Sequence, residues 1–430
     1  MRLHGSLPAA ITTACAVAIA ASVVSRAMAI TFLDTAYGTP QGSAIGRSAA
    51  MGATGVALAH GSQSLIHNPA LLAVGDYHVH EQFQIGVTYA AEDRLVPLFD
   101  SFDSFVRETT ISTNRNTYAQ AEGGLVLHLP TSVPMAIAAG LFERYDFDFN
   151  YFEEVRNPTP FPGASRDIIV GERTWDVEGV LRSVSAGYAA ELAGPIQFGF
   201  SAHHYFGKVR SMRRETMFLL ETSTAERLER DLVGWGFSVG GHGAIGEHVA
   251  LGVAYEAPFT VSGTYVASDA TGSSLNEEEI KYPGTLSFGV TYQPRNVLST
   301  LFTAEALFRN WQDLEDTFRT IVPDNRFVLR DTWDLRVGVE HIFYNGLPVR
   351  FGFRYLQNYA DSESERTIYS VGTGYVVDHF RFDVTGVYHR QTSRQGFLFD
   401  PSVTGFPAPD GDTKVEDSVM QLVLAVSRNF

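Results

Sequence analysis

The feature that most constrains the fold is a period-two pattern at the end of the sequence. Apolar side chains recur at every second position from Met420 to Phe430, broken only at Arg428, and the positions between them are mostly small or polar. Alternation with this period predicts a β-strand with one oily and one wetter face. Phe430 lies on the oily stripe, which is typical of the strand that closes an outer-membrane barrel. A strand of a soluble sheet is the alternative.

The amino terminus has the pattern of a secretory signal peptide. A mostly apolar run from Ala9 to Val24 precedes the small-residue cleavage pattern Ala27-Met28-Ala29. We therefore expect a signal peptide over residues 1–29 and a mature chain that begins at Ile30. The single cysteine, Cys15, falls inside the signal, so the mature chain is predicted to form no disulfide and no thiolate metal site.

Composition and hydropathy narrow the class of protein. After Ala29 no apolar run reaches the roughly eighteen residues that a membrane helix needs, so a membrane-spanning mature chain would be a closed barrel. The 39 glycines and 12% aromatic content suit twisted strands with aromatic girdles. Signal cleavage leaves 30 basic and 48 acidic residues, a net charge of −18. This excess of acidic residues argues against nucleic-acid partners. It suits surface loops that lie among lipopolysaccharide on a lipid bilayer, where divalent cations bridge the negative charges.

The rest of the chain predicts an all-β transmembrane antiparallel β-barrel of about fourteen strands over residues 77–430. Tight turns alternate with longer polar segments, as expected when short turns lie at one rim and long loops at the other. Two of the predicted loops are 91–115, expected to contain an amphipathic helix, and 214–230. The candidate strands lie near residues 77–90, 116–129, 134–149, 173–193, 196–213, 231–246, 248–266, 281–293, 299–316, 330–345, 349–360, 367–377, 380–392 and 417–430.

Charged residues interrupt the wetter face of several late strands. If the oily stripes face lipid, these charges point into the lumen, where an unpaired charge is costly. We therefore expect them to pair across strands or to meet water. An ion-pair network that stiffens the barrel and a direct transport role both fit the pattern. The residues are Arg336, Glu340, Arg350, Arg354, Arg381 and Asp383.

Residues 30–76 lack the alternation of the later segments. Small residues dominate between Gly42 and Gly55, and Asn68-Pro69-Ala70 has the composition of a turn. A compact segment of small residues ahead of a barrel predicts a plug, or hatch, inside the lumen, because small side chains let the backbone approach a wall closely. A periplasmic extension outside the barrel is the alternative.

Two runs in this segment resemble the N-terminal hatch of the FadL/TodX family of outer-membrane transporters of hydrophobic compounds. They are Gly46-Arg47-Ser48-Ala49-Ala50-Met51-Gly52-Ala53 and His67-Asn68-Pro69-Ala70-Leu71, directly before the first strand. Lys281-Tyr282-Pro283 and Phe308-Arg309-Asn310-Trp311 resemble the family's mid-barrel hairpin. The resemblance implies a fourteen-stranded barrel with a hatch that passes long-chain fatty acids or other apolar molecules. The hatch residues it marks are Gly46, Arg47, Ser48, Gly52, Asn68, Pro69 and Ala70.

The resemblance also implies where a ligand would bind and leave. It implies an apolar groove in the external loops, a second site beside the mature N-terminus, and a sideways exit at a kink in the third strand. Pro134, at the start of that strand, is the candidate for the kink. The candidate ligand-binding residues are apolar: Ile30, Phe32, Leu33, Met217, Phe218, Leu219 and Leu220.

The sequence contains no H-E-x-x-H motif and no P-loop, and we predict no enzyme activity, no cofactor and no metal site. A barrel phospholipase would need a serine–histidine pair on the lipid face of adjacent strands. We predict passive uptake of long-chain fatty acids or other hydrophobic small molecules, gated by the hatch. The location would be the outer membrane of a Gram-negative bacterium, after insertion by the barrel-assembly machinery. A PorV-like barrel that acts in protein secretion or assembly, and a hydrophilic diffusion porin, are the alternatives.

Overall fold

A computed structural model gives the fold of the chain. The predicted signal peptide, Cys15 and the mature start at Ile30 lie outside the residues that it describes. No helix within the described ranges is long and apolar enough to cross a bilayer. The described residues are 34–58, 60–75, 77–99, 102, 104–156, 169–218, 221–269, 272–295, 299–314, 328–360, 364–395 and 413–430.

The described chain forms a closed antiparallel barrel of fourteen strands, which confirms the predicted fold class and the predicted count of about fourteen strands. The barrel closes where the last strand pairs with the first, from Asn429–His80 to Lys414–Leu95. Three strands are interrupted and are given as two segments each. The strands are β1 (Val79–Phe99), β2 (Phe105–Leu129), β3 (Met135–Asp146 and Phe149–Arg156), β4 (Ile169–Ala193), β5 (Ile196–Met217), β6 (Thr222–Ile245), β7 (Val249–Glu256 and Phe259–Asp269), β8 (Gly272–Tyr282 and Thr285–Tyr292), β9 (Ser299–Arg309), β10 (Thr332–Ile342), β11 (Pro348–Leu356), β12 (Arg366–Val377), β13 (Phe380–Gln395) and β14 (Thr413–Asn429).

The outer face of the barrel is apolar and much of the inner face is polar. On β14, Met420, Leu422 and Leu424 point outward and are more than half exposed, whereas Val423 and Ala425 are buried on the lumen side. Buried side chains elsewhere in the wall include many serines, threonines, arginines and carboxylates. This distribution is the reverse of that in a soluble β-sandwich and matches a barrel whose outer face contacts lipid.

Strand length varies around the barrel. β1, β2, β4, β5 and β6 have 21, 25, 25, 22 and 24 residues, whereas β9, β10 and β11 have 11, 11 and 9. A tilted strand needs only about 9–11 residues to cross a bilayer, so the long strands project beyond the membrane at the long-loop rim.

Two of the predicted loops are strands, and the predicted helix within the first of them is wrong. Residues 91–99 belong to β1 and 105–115 to β2, whereas residues 214–217 belong to β5 and 222–230 to β6. Outward-facing charges hid the strand pattern, because beyond the membrane an outer face can be polar. The part of the β5–β6 hairpin from the paired residues Lys208 and Asp231 to its tip is called the β5–β6 extension, and this exposed pair forms a cross-strand ion pair at 3.1 Å.

The interruption of β3 lies at Phe147 and Asp148 rather than at its first residue. Pro134 precedes the strand and bends nothing within it, so the predicted position of the kink is wrong. The Phe147 amide donates to Gly179 O at 2.9 Å, and the Asp148 amide donates to Asp146 Oδ1 at 2.9 Å. Backbone groups at the break are therefore satisfied locally and by β4.

Residues 34–75 lie inside the barrel and are called the hatch below. Nearly all of their described side chains are buried or half-buried. The two-residue strand Thr39–Pro40 pairs with Asp146 and Tyr145 of β3. The other regular elements are α1 (Asp34–Tyr37), α2 (Arg47–Ala50), α3 (Ser64–His67) and the 3₁₀ turns Gly61–Gln63 and Pro69–Ala73, with a further 3₁₀ turn at Gln312–Leu314 after β9.

Candidate functional site

Wall glycines set the level at which the hatch sits. A Cβ atom at Gly240 would overlap Asn68, and one at Gly199 would overlap Pro69. Side chains at these positions would therefore push the hatch away from the wall. Glycines with the same property recur on strands around the lumen and are called the glycine girdle. Its members are Gly187, Gly199, Gly240, Gly252, Gly338, Gly352 and Gly372.

Asn68 joins the hatch to itself and to the wall. Its side-chain amide donates to Val56 O at 2.7 Å and to Gly241 O at 3.0 Å. Its Oδ1 atom accepts from the Ala70 amide at 3.1 Å and caps the 3₁₀ turn that Pro69 begins. The Asn-Pro-Ala element thus has a geometric role, because one buried amide meets three backbone groups.

The other candidate hatch residues also contact the wall or the hatch interior. The Gly46 amide donates to Gln84 Oε1 at 3.1 Å, and the Gly52 amide donates to Ser370 Oγ at 3.0 Å. The Ser48 hydroxyl bonds within the hatch. Burial lowers the pKa of a further hatch residue, His67, to about 3, so its imidazole is neutral at physiological pH.

Four of the predicted lumen charges join the hatch to one side of the barrel. Arg47 of the hatch lies 2.5 Å from Glu340, and Glu340 lies 2.6 Å from Arg350. Arg350 also lies 2.7 Å from Asp383, which Arg381 approaches at 3.0 Å. These charges therefore form one chain of ion pairs that runs from the hatch across β10, β11 and β13.

The remaining two lumen charges, Arg336 and Arg354, meet at Asp334. Each arginine approaches the Asp334 carboxylate at 2.6 Å, and Arg336 also donates to Ala53 O of the hatch at 2.5 Å. The arrangement ties the hatch to the wall. Cross-strand pairing of this kind is what the stiffening role, one of the two options from the sequence, requires.

Replacing Arg350 should destabilise the barrel strongly. Arg350→Ala removes a fully buried cation. Glu340 and Asp383 then each lose one ion pair, and each keeps one arginine close by, Arg47 and Arg381 respectively. We expect the free energy of unfolding to fall by about 3 kcal/mol, measured by urea unfolding of the lipid-reconstituted protein. Arg295→Ala, which removes an exposed pair with Glu247, is the matched control and should change it far less. Equal effects would contradict this role for Arg350.

An apolar cluster interrupts the polar lumen on the long-loop side of the hatch. It contains ten buried aromatic residues and several aliphatic ones, and it is called the aromatic cluster. Tyr205 stacks on Phe259 at 4.1 Å between ring centroids, and Phe259 stacks on Tyr282 at 4.8 Å. Its aromatic members are Tyr37, Tyr145, Phe147, Phe149, Tyr151, Tyr205, Phe259, Tyr282, Trp311 and Tyr359.

Tyr37 of the hatch occupies the middle of the aromatic cluster. Its ring meets Trp311 edge to face at 5.4 Å, Tyr282 at 5.8 Å and Tyr359 at 6.0 Å. The Tyr282 hydroxyl donates to Tyr37 O at 2.9 Å and holds the end of α1. A hatch side chain therefore fills an aromatic-lined space that would otherwise suit an apolar ring of similar size.

Of the seven ligand-binding residues that the sequence suggested, the two that the structure describes, Met217 and Phe218, do not belong to this cluster. Ile30, Phe32, Leu33, Leu219 and Leu220 lie outside the described residues. Met217 is buried against Val155 and Val170 near the tip of the β5–β6 hairpin, and Phe218 is exposed at that tip. Met217 and Phe218 therefore form no groove in a loop, because the segment is a strand and its turn.

A cavity of about 180 Å³ lies between the hatch and the wall. Hatch residues 39–44 form one side, and β1, β2 and β14 form another. The polar residues Gln84, Gln120, Glu122 and Gln421 face it together with apolar ones such as Val423. A smaller space of about 30 Å³, lined by Tyr118, Asn150 and Val419 among others, follows it toward the break in β3.

The wall has a window between β2 and β3. Within the described residues, the backbone ladder between these strands ends at Gly123–Leu141. Beyond that pair, side chains of β2 bond to the backbone of the second segment of β3 instead. Asn114 accepts from the Phe152 amide at 3.0 Å, and Asn116 donates to Asn150 O at 3.1 Å. Side-chain bonds can exchange partners without the loss of a backbone ladder, which distinguishes this part of the wall from the continuously paired strands.

A serine–histidine pair does occur, but on the lumen face. Ser185 Oγ lies 2.8 Å from His203 Nδ1, and Ser238 Oγ lies 2.9 Å from His203 Nε2. All three side chains are buried, and the adjacent Ser201 bonds to Leu65 O of the hatch. The pair thus supports hatch docking and does not lie on the lipid face.

The sequence did not reveal the aromatic cluster, because its ten aromatic members come from seven separate parts of the chain. Tyr282 and Trp311 were noted only as parts of a generic hairpin. One local signal was present: Phe147, Phe149 and Tyr151 alternate with Asp146 and Asp148, which marks aromatic residues on the lumen side of a broken strand.

Comparisons with known proteins place this architecture. Neither a protein-family model nor a curated protein matches the sequence. Among solved structures, a Pseudomonas aeruginosa FadL homologue is 13% identical with a TM-score of 0.65, covering 91% of this chain and 100% of that one. The P. putida toluene transporter TodX is 15% identical with a TM-score of 0.62, covering 91% and 99%. The Ralstonia pickettii toluene transporter TbuX is 15% identical with a TM-score of 0.58, covering 90% and 99%. The chain therefore has the FadL/TodX family fold.

Proposed function

We propose that this protein is an outer-membrane channel for passive uptake of hydrophobic small molecules, long-chain fatty acids or other apolar compounds. The observation that carries the proposal is the aromatic cluster, an apolar interior site inside a lumen whose walls carry many polar and charged side chains. An apolar site of this kind is suited to bind a hydrophobic molecule and not a hydrophilic solute. The toluene transporters among the structural neighbours add support through their shared fold.

The hatch favours a sideways route for the ligand. Straight passage to the periplasm would require loss of the Asn68 contacts, the Arg47–Glu340 pair and the packing on the glycine girdle. Opening the window would require only the exchange of a few side-chain hydrogen bonds. We therefore propose that the hatch blocks direct passage to the periplasm, and that ligand moves from the aromatic cluster through the window into the membrane.

Gating by the hatch is proposed to act through Tyr37. Its ring fills the space where a ligand ring would sit, so ligand and Tyr37 compete. Tyr37→Ala should raise the affinity for p-xylene about three- to tenfold, whereas Trp311→Ala should lower it by a similar factor because one aromatic contact is lost. Equilibrium dialysis of purified protein in detergent, corrected for micelle partitioning, measures both. A loss of affinity in both variants would show that Tyr37 is a ligand contact and not a competitor.

The proposal is tested by uptake and by conductance on the same protein. Cells that produce it should take up labelled p-xylene or a fatty acid faster than cells with the empty vector. Planar bilayers that contain it should show little ion current, because the hatch fills the lumen. High conductance without hydrocarbon uptake would favour a diffusion porin. Unchanged uptake with co-purifying partner proteins would favour a secretion role.

A further inference from the structure

The cavity of about 180 Å³ between the hatch and the wall is called the hatch cavity below. Its surface is mostly apolar, and the aliphatic side chains that line it include Leu356, Ile368, Val387 and Val423. An engineered apolar cavity of about 150 Å³ is large enough to bind benzene. The hatch cavity is therefore of the right size for a molecule with one aromatic ring.

Glu122 brings an unsatisfied polar atom to the hatch cavity. It lines the cavity at the edge of the window, and it is only 2% exposed. Its Oε1 atom accepts from the Glu143 amide at 3.3 Å, whereas its Oε2 atom has no hydrogen-bond partner among the described residues. Because buried polar atoms are almost always satisfied, this oxygen marks a place where a bound molecule can form a hydrogen bond.

The surroundings of Glu122 favour its uncharged form. The two arginines close to this edge are engaged elsewhere, since Arg144 lies 2.6 Å from Glu256 and Arg182 lies 3.4 Å from Glu143. Glu122 itself has no ion pair within the described chain, and burial without a cation disfavours a carboxylate. Its side chain therefore holds a proton. Since Oε1 accepts a hydrogen bond, Oε2 carries that proton and acts as a donor.

Two amide side chains supply an acceptor close to this donor. Gln421 Nε2 donates to Gln120 Oε1 at 3.2 Å, and both side chains line the hatch cavity. Gln120 lies two residues from Glu122 on the same face of β2. A carbonyl oxygen has two lone pairs, so Gln120 Oε1 can also accept from a ligand hydroxyl group.

We infer that the hatch cavity is a second ligand site, selective for uncharged one-ring molecules that carry a hydroxyl group, the class of simple phenols. The ring packs on the aliphatic lining, and the hydroxyl oxygen accepts from Glu122 Oε2. A hydrocarbon of the same shape leaves the buried Glu122 donor unsatisfied, so the site distinguishes a hydroxyl group from a methyl group. The inference rests on the proposed function and deepens it by naming a substrate class.

Two probes of nearly equal shape, p-cresol and p-xylene, differ by a hydroxyl group in place of a methyl group. Their affinities would be measured by equilibrium dialysis of purified protein in detergent, corrected for micelle partitioning, at about pH 7, where a phenol is uncharged. Both rings can also bind at the aromatic cluster, so the ratio of the two affinities reports the hatch cavity.

Glu122→Met removes the donor and keeps a side chain of similar length. It should lower the affinity for p-cresol about three- to tenfold, as expected for one hydrogen bond between uncharged groups, and change that for p-xylene less than about twofold. Glu122→Gln keeps an N–H donor and should hold the p-cresol affinity within about twofold. Glu178→Met, which removes an exposed carboxylate from the outer face of β4, should change neither affinity.

The outcomes distinguish this inference from the function beneath it. If Glu122→Met leaves the p-cresol affinity unchanged, or lowers both affinities equally, the hatch cavity does not select a hydroxyl group, although the channel function stands. A loss in Glu122→Gln as large as that in Glu122→Met would contradict the donor role of Glu122. If wild-type protein binds neither probe, the proposed function fails together with the inference.

A crystal soak of wild-type protein in 4-bromophenol is the second measurement. Heat-modifiable electrophoretic mobility checks the folding of each variant, and the soak decides if Glu122→Met does not fold. We expect an anomalous bromine signal inside the hatch cavity, with the phenolic oxygen beside Glu122. Absence of bromine from this cavity would overturn the inference.

Discussion

Cross-linking the window shut should abolish the uptake of hydrophobic molecules. The predicted mature chain has no cysteine, so Asn116→Cys with Asn150→Cys gives a single pair of thiols across the window. A short bis-methanethiosulfonate reagent would join them covalently. We expect uptake of p-xylene to fall to the empty-vector rate. The hydrogen bond between residues 116 and 150 can be exchanged, whereas the covalent link that replaces it holds the window closed. Reduction should restore uptake.

The control for this cross-link lies on the β5–β6 extension. Lys208→Cys with Asp231→Cys places thiols on directly paired positions of an exposed part of the wall, away from the window. The same reagent should join this pair without loss of uptake. Mass spectrometry would confirm the cross-link at the window. Full transport by this cross-linked protein would place the exit elsewhere.

Unseating the hatch should turn the plugged barrel into a leaky pore. Gly240→Val places a side chain where Asn68 and Pro69 dock. Overpacking of this kind costs about 1–3 kcal/mol, which raises the unseated population roughly five- to 150-fold. We expect ion conductance in planar bilayers to rise by a similar factor, because the lumen behind the hatch is largely polar.

Gly241→Val is the matched control for the hatch experiment. The two glycines are neighbours on β6 but face opposite sides of the wall, and a Cβ atom at Gly241 would meet only Val253 at an ordinary 3.6 Å. This variant should stay as silent as the wild type. Equal conductance in the two variants, with both barrels folded, would show that the glycine girdle does not hold the hatch.

The barrel could be predicted from the sequence because its rule is local. Each strand shows its oily face by alternation, as at Met420, Leu422 and Leu424, and tight turns divide one strand from the next. The small residues before Gly55 likewise mark a segment built for close backbone approach. A count of about fourteen strands followed from these signals, and the family resemblance implied the same number.

The window and the aromatic cluster could not be predicted, because each depends on which strands meet. The period-two pattern assigns Tyr205 and Phe259 each to one face of its strand. Only closure of the barrel and the register of its strands bring the two rings into one stack. The break in β3 arises where Asp146 and Asp148 satisfy backbone groups, and acidic residues in a strand give no warning of this role. Strand extensions such as 214–230 were hidden because outward charges beyond the membrane resemble a loop.

The most direct test is a crystal structure with a brominated ligand. Crystals soaked in 4-bromotoluene would give an anomalous bromine signal that needs no interpretation of weak density. We expect the signal inside the lumen, in contact with Trp311 and Tyr282, with the Tyr37 ring moved from its present position. Bromine found only on the outer face of the barrel, with Tyr37 in place, would contradict the claim that the aromatic cluster is the ligand site.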